Sequence, residues 1–204
     1  MLVVGLGNPG PRYAGSPHNV GFRVVDHFAE HHRLAEQRGS SQAVWSERFD
    51  ADLAMAAIDS EQLVLLKPLT YMNRSGESVR KAMSFFKIAA ADALVVHDEL
   101  DLPLGSIKLK RGGGEAGHNG LKSVSAELGT RDYVRLRVGV GRPALGEVSD
   151  FLLSPLPSAA ATELEASLDE ARAAIDLWVR HGVERAMNLV NRKAQVGPEA
   201  GQPD

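Results

Sequence analysis

The opening residues, MLVVGLGNPGP, constrain the fold of this chain more than any other stretch. Leu2-Val3-Val4-Gly5 reads as a short buried strand, and the turn Gly7-Asn8-Pro9-Gly10-Pro11 ends it abruptly. Gly5, Gly7 and Gly10 match G-x-G-x-x-G, the spacing with which a strand passes into a dinucleotide-binding helix. That reading fails on the prolines. A pyrophosphate needs free amides at a helix that begins inside the turn, whereas Pro9 and Pro11 remove amides and push the helix start out to Ser16-Pro17. The turn is therefore expected to be a rigid ledge that presents the Asn8 side chain as a paired donor and acceptor. Ser16 is placed to cap the free amides and Pro17 to fill the first helical position. Val20, Val24 and Phe28 then predict a helix over about residues 17–33.

The rest of the chain continues the alternation of strand and helix. Residues 62–66 form a β-rich run and 69–75 a loop, and Val79, Met83 and Phe86 stripe a second helix. Residues 93–96 read as a buried parallel strand that delivers His97-Asp98 at its carboxyl end. Residues 106–110 and 133–139 alternate apolar side chains with Lys108, Lys110, Arg135 and Arg137, which predicts two strands with their basic residues on one face. Between them lies the glycine-rich run 112–120, followed by a short helix that Gly129 ends. Residues 142–157 show no clear periodicity. A long acidic helix is expected over 158–181, ending at Gly182, with a second over 183–193. The fold class that follows is α/β: a single domain, residues 1–193, with a twisted mixed β-sheet flanked by helices, and a polar tail over 194–204.

Composition removes whole classes of chemistry. With no cysteine among 204 residues there is no disulfide, thiolate nucleophile, iron–sulfur cluster or cysteine zinc site. The longest unbroken apolar run, 53–58, is far too short to span a bilayer, and no basic residue precedes Pro9, so a cytoplasmic protein with no membrane partner is expected. The net charge of −3 argues against a nucleic-acid binder until it is resolved along the chain. Residues 104–142 hold eight basic residues against three acids, and 143–181 hold seven acids against two arginines. One positive face, suited to an anionic partner, is implied.

Two histidine patterns compete for attention. His27, Glu30 and His31 match H-x-x-E-H, but they sit beside the apolar stripe of a polar helix with no third ligand indicated, so no metal is expected. His18 falls at the second position of the first helix, where the helix dipole disfavours imidazolium and helps to keep a base unprotonated. Asp98 falls at the carboxyl end of a central strand, where open α/β sheets place their sites. An aspartate that accepts a bond from one imidazole nitrogen leaves the other free to take a proton. On these two residues alone the bland alternative, a capping histidine and an unrelated turn aspartate, stays open. Asn8, Asn19, Asn73 and Asn119 each lie in or beside a turn, and a site of His, Asp and amides suits attack of an activated water on a carbonyl.

Taken together, GLGNPGPRYAGSPHNVG, LKPLTYMNRSG, HDELDLPLGSIKLKRGGGEAGHNGLKS and YVRLRVGVGRP resemble the bacterial peptidyl-tRNA hydrolase family, over most of the chain. The resemblance implies a monomeric, cytoplasmic α/β enzyme of translation. It would hydrolyse the ester between a peptide, or an N-blocked aminoacyl group, and the 3′ ribose of tRNA, without cofactor or metal. It implies His18 as the catalytic base and Asp98 as the acid that orients it. Asn8 matches the residue that tells blocked from unblocked aminoacyl-tRNA. Tyr13, Tyr71, Asn73 and Asn119 match positions that contact substrate, and Lys108, Lys110 and Arg137 match residues that hold tRNA phosphate. Residues 146–156 resemble the family's mobile lid. Pro17 stands where many members carry Arg, and Glu115 interrupts the glycine run with a negative charge. A non-enzymatic RNA-binding protein of the same fold is the alternative, and retention of His18, Asp98 and the amides argues against it. A nucleotide-binding oxidoreductase is disfavoured by the two prolines and by the lack of a clear ribose-binding acid.

Overall fold

The computed structural model describes residues 1–32, 45–143 and 145–193. The expected tail at 194–204 lies outside the described residues. Seven strands build one mixed sheet: β1 (Leu2–Gly5), β2 (Ser46–Glu47), β3 (Ala51–Ile58), β4 (Glu61–Pro68), β5 (Ala93–Glu99), β6 (Ile107–Arg111) and β7 (Val134–Gly139). Their order is β2-β3-β4-β1-β5-β7-β6. β4, β1, β5 and β7 run parallel, while β2, β3 and β6 are antiparallel to their neighbours. The helices are α1 (Val20–His31), α2 (Ser75–Phe86), α3 (Asn119–Leu128), α4 (Val148–Leu153), α5 (Ser158–Ala166) and α6 (Leu168–Lys193). Among the described residues no helix is long and apolar enough to cross a membrane.

The side-chain alternation of the central strands sorts the apolar residues into two cores. Val3, Leu94, Val96, Val134 and Leu136 face α1 and α6, with Phe28 and Trp178 fully enclosed between. Leu2, Val4, Val95 and Tyr133 face α2 and α3. The chain leaves β1 toward the β4 side and leaves β5 toward the β7 side, so the loops at the adjacent carboxyl ends of β1 and β5 diverge and open a crevice.

Three expectations need correction. The helix expected over 17–33 begins as a 3-10 turn, Pro17–Asn19, before α1 takes over at Val20, and its far end lies outside the described residues. Ser16 does not cap it, because its hydroxyl donates back to the Tyr13 carbonyl at 2.8 Å. The helix expected over 158–181 is broken at Ser167, whose amide and hydroxyl both bond the Leu164 carbonyl and tighten the turn. α6 then bends at Gly182, where φ is 75° and ψ 171°. The apolar run at 53–58 forms most of β3, an antiparallel partner of β4.

Beyond the bend, α6 returns along the sheet edge. The Asn191 side chain accepts a bond from the Leu109 amide and donates to the Leu109 carbonyl, both at 2.9 Å, as a neighbouring strand would.

The crossing of α1 over β1 and β5 brings main chain against main chain. A Cβ at Gly21 would lie 2.4–2.6 Å from the backbone of Leu6 and Val96, and one at Gly5 would lie 2.3 Å from the Gly21 carbonyl oxygen. Gly21→Ala should therefore destabilise the protein by about 3 kcal/mol, since backbone rather than a movable side chain blocks the methyl. Chemical denaturation measures this, and an unchanged midpoint would mean that helix and sheet are less closely seated.

Candidate active site

The ledge after β1 is held by a reciprocal pair. The Asn8 amide donates to Asn19 Oδ1 at 2.8 Å, and Asn19 Nδ2 donates to the Asn8 carbonyl at 2.9 Å. Asn19 thus ties the first turn to the 3-10 turn that carries His18, and it is almost wholly buried. The Asn8 side chain has a fixed sense as well, because its Oδ1 accepts from the Met72 amide at 2.9 Å. Nδ2 is left to the crevice, and Oδ1 keeps its second lone pair.

His18 and Asp98, eighty residues apart in the chain, meet with Nδ1 and Oδ1 at 2.8 Å. The same carboxylate oxygen takes a second imidazole, His118, through Nε2 at 3.0 Å. His118 caps α3, with its Nδ1 accepting from the amides of Gly120 at 3.1 Å and Leu121 at 3.3 Å. An imidazole nitrogen that accepts two N–H groups carries no proton, so His118 is the neutral Nε2–H tautomer and donates to Asp98. His97, next to Asp98 on β5, donates from Nδ1 to the Asp98 carbonyl at 2.7 Å and packs edge-on against the His118 ring.

Burial by itself would raise the Asp98 pKa, but the bonds and fields of His118 and His18 outweigh it and hold the carboxyl far below its usual range. An ionised Asp98 then demands a proton on the nitrogen of each imidazole that faces it. For His18 this selects the tautomer with its proton on Nδ1, so that in the neutral ring Nε2 is the nitrogen with the lone pair. His97 is driven the other way: burial, the largest cause, lowers its pKa to about 3.

These groups line a cavity of about 530 Å³, and Asn8, Tyr13, His18, Tyr71, Asn73, Asp98 and Asn119 all contribute to its wall. Tyr71 is 65% exposed and stands at the mouth. Val148, Leu152 and Leu153 of α4, inside the segment 146–156, supply an apolar side opposite the asparagines. Among the described residues, His18, Asp98 and His118 are also the one His/Asp/Glu set gathered closely enough to share an ion, with donor atoms within 4.8 Å of one another. Those atoms already satisfy each other. The H-x-x-E-H residues do not converge: His27 bonds Asp169 across the α1–α6 interface at 2.9 Å, while His31 is exposed.

The basic strands partly depart from expectation. Lys108 lies opposite Arg137, and Lys110 opposite Arg135, on one face as expected. Arg135, however, is only 3% exposed and is committed to two loop carbonyls, so it is not available to an outside anion. Arg137 donates to Glu99 at 2.9 Å at the cavity edge, and neither lysine lines the cavity. The added charge of Glu115 is matched by Arg131 at 2.6 Å, whose bond keeps the carboxyl low and ionised. His118 and Glu99 were not singled out from the sequence. Histidine is not a usual helix cap, and its role shows only once the start of α3 is known.

Known proteins share this arrangement of elements. Residues 2–197 match the family model described as Peptidyl-tRNA hydrolase. A protein of that name from Frankia casuarinae is 47% identical over 188 residues, 92% of this chain and 91% of its own. One from Symbiobacterium thermophilum is 47% identical over 192 residues, 93% of this chain and 98% of its own. A crystal structure of peptidyl-tRNA hydrolase from Acinetobacter baumannii superposes with a TM-score of 0.84 at 37% identity, covering 94% of each chain.

The state of His97 makes stability depend on pH with a definite sign. An unfolded histidine binds a proton as the pH falls through about 6.5, whereas folded His97 stays neutral down to about 3, so stability is lost progressively across that window. His97→Gln should flatten the fall of Tm between these limits. Parallel Tm profiles for the two proteins would show that the folded imidazole is charged.

Proposed function

Since the chain belongs to the peptidyl-tRNA hydrolase family, whose substrate is the ester that joins a peptide to tRNA, we propose that His18 is the general base of this hydrolysis and Asp98 the group that holds it in its basic form. The observation that carries the reading is the Asp98 carboxylate on His18 Nδ1, which leaves Nε2 unprotonated beside the cavity. A water bonded to Nε2 loses its proton to the imidazole as its oxygen attacks the ester carbonyl carbon. The tetrahedral intermediate then expels the ribose oxygen, which takes the proton back from Nε2. Free tRNA and a peptide carboxylic acid result, and Asp98 stays ionised throughout.

Asn8 accounts for the preference for blocked substrates. Its Nδ2 can donate to the carbonyl of an acylated α-amino group, whereas one lone pair of Oδ1 is already taken by the Met72 amide, which weakens it as an acceptor for a free α-ammonium. Tyr13, Tyr71, Asn73 and Asn119 line the remaining wall and contact the esterified end of the substrate. His118 acts through Asp98, fixing the carboxylate that fixes His18. The tRNA body lies against Lys108, Lys110 and Arg137, with Arg137 joining that face to the cavity through Glu99. The absence of cysteine, together with a nucleic-acid substrate, supports a cytoplasmic enzyme.

His18→Ala should lower kcat for an N-blocked aminoacyl-tRNA by about 10²–10⁴-fold while leaving tRNA affinity unchanged. Asp98→Asn should cost less, because a misoriented imidazole is still a base. Near-parental turnover by His18→Ala would remove the base assignment.

The basic face makes a separate prediction. The association constant for tRNA should fall with salt, with a slope of log K against log salt of roughly −2 to −3 if about three phosphates are neutralised. Lys108→Ala should make the slope shallower by about one unit and raise KM more than it lowers kcat. Affinity that ignores salt would place the tRNA body elsewhere.

A further inference from the structure

Arg135 is a cation buried where the hydrolytic reaction has no evident use for one. It points from β7 into the face that β5 and β6 share with α3, opposite Val95 and Lys110. Among the described residues no carboxylate pairs with it. Its Nη1 donates to the Gly114 carbonyl at 2.6 Å and its Nη2 to the Gly113 carbonyl at 2.7 Å, while the guanidinium lies 4.8 Å from the centre of the Tyr133 ring. A planar fork on two successive carbonyls fixes both the position and the tilt of that peptide.

The gripped segment is the loop between β6 and α3, and it has conformations that need holding. Gly113 has φ 101°, and Ala116 has φ 47°, a left-handed setting unfavourable for a residue with a Cβ. Two residues after Ala116 the chain reaches His118, whose amide closes the turn on the Glu115 carbonyl at 2.8 Å. His118 then bonds Asp98, and Asn119 enters the cavity wall.

We propose that Arg135 is a positioning residue for ester hydrolysis: by gripping the Gly113 and Gly114 carbonyls it sets the loop that brings His118 onto Asp98 and Asn119 into the cavity. The proposal rests on the reading of His18 and Asp98 as base and orienter. It separates Arg135 from the phosphate-facing Lys108, Lys110 and Arg137, with which it shares one face of the same two strands. Lysine cannot replace it, because an ammonium offers no rigid fork to two carbonyls.

The test is steady-state hydrolysis of N-blocked aminoacyl-tRNA, at several salt concentrations, by Arg135→Lys, His118→Ala, the double variant, Lys108→Ala and His18→Ala. Arg135→Lys should lose about 10- to 100-fold in kcat, with KM within about two-fold of the parent and an unchanged salt slope. The double variant should lose little more than the worse single one, because both changes break one chain of contacts. A raised KM with unchanged kcat and a shallower salt slope would make Arg135 a phosphate contact. Fully additive losses, or parental kcat in Arg135→Lys, would equally overturn the proposal. Amide hydrogen exchange over residues 113–118 reads the grip apart from the chemistry. If His18→Ala keeps full turnover while Arg135→Lys still deprotects those amides, the base assignment fails and the grip stands. Should Arg135→Lys not fold, the unsubstituted protein decides by ¹⁵N NMR: separate Nη1 and Nη2 signals that stay fixed as a tRNA acceptor-stem RNA is titrated in are expected, and their movement on titration would refute the assignment.

Discussion

Everything around the crevice of this fold depends on how near a helix can approach a sheet. α1 crosses the end of β1 with Gly21 against Leu6 and Val96, and with Gly5 against the helix backbone, so main chain meets main chain with no side chain between. A residue with a Cβ at either point would force the helix outward by the thickness of a methyl group. His18 sits three residues before Gly21, and a hydrogen bond of 2.8 Å to Asp98 leaves no room for such a shift. The reciprocal bonds of Asn8 and Asn19 then lock the ledge to that helix start. Glycine, in this fold, is part of how an imidazole and a carboxylate eighty residues apart share a proton.

Around that contact the site is arranged by the accounting of protons rather than by charge pairing alone. Asp98 Oδ1 carries two imidazoles, and their opposite nitrogens differ: that of His118 is filled by two helix amides, and that of His18 is open to the cavity. One carboxylate therefore holds two histidines, distinguished by what lies behind each ring. His97 completes the cluster as a neutral, buried ring that steadies the Asp98 backbone. His18, Asp98 and His118 lie close enough to resemble a metal site, yet the atoms that face one another there are already joined by hydrogen bonds.

Much of this was legible in the chain. β1, its proline-bounded turn, α1 and α2 follow from apolar spacing and from residues with restricted backbones, and His18 and Asp98 stood out because each fell at an element end. What was hidden depends on distance in sequence or on unusual local roles. β3 was an apolar run without alternation. His118 capped a helix although histidine is a rare cap, and Ser16 stood at a capping position but turned its hydroxyl back to Tyr13. The strand period placed Arg135 and Arg137 on the correct face, but it could not show that the glycine loop folds down over one of them and leaves the other at the edge. Periodicity gives the face of a strand, and only the packed structure says what covers it.

The side chain of Asn191 has a consequence for the company this protein keeps. β6 is the last strand of the sheet, and an open last strand is a template onto which another chain can add its own backbone. At Leu109, in the middle of that strand, both outward backbone groups are already bonded to one asparagine amide. A second protein approaching edge to edge would find the donor and the acceptor at the centre of the register occupied, with a helix in the way. The sheet is thereby closed to aggregation along this border, and the lysines of β6 remain turned to the solvent instead of becoming the seam of a fibre.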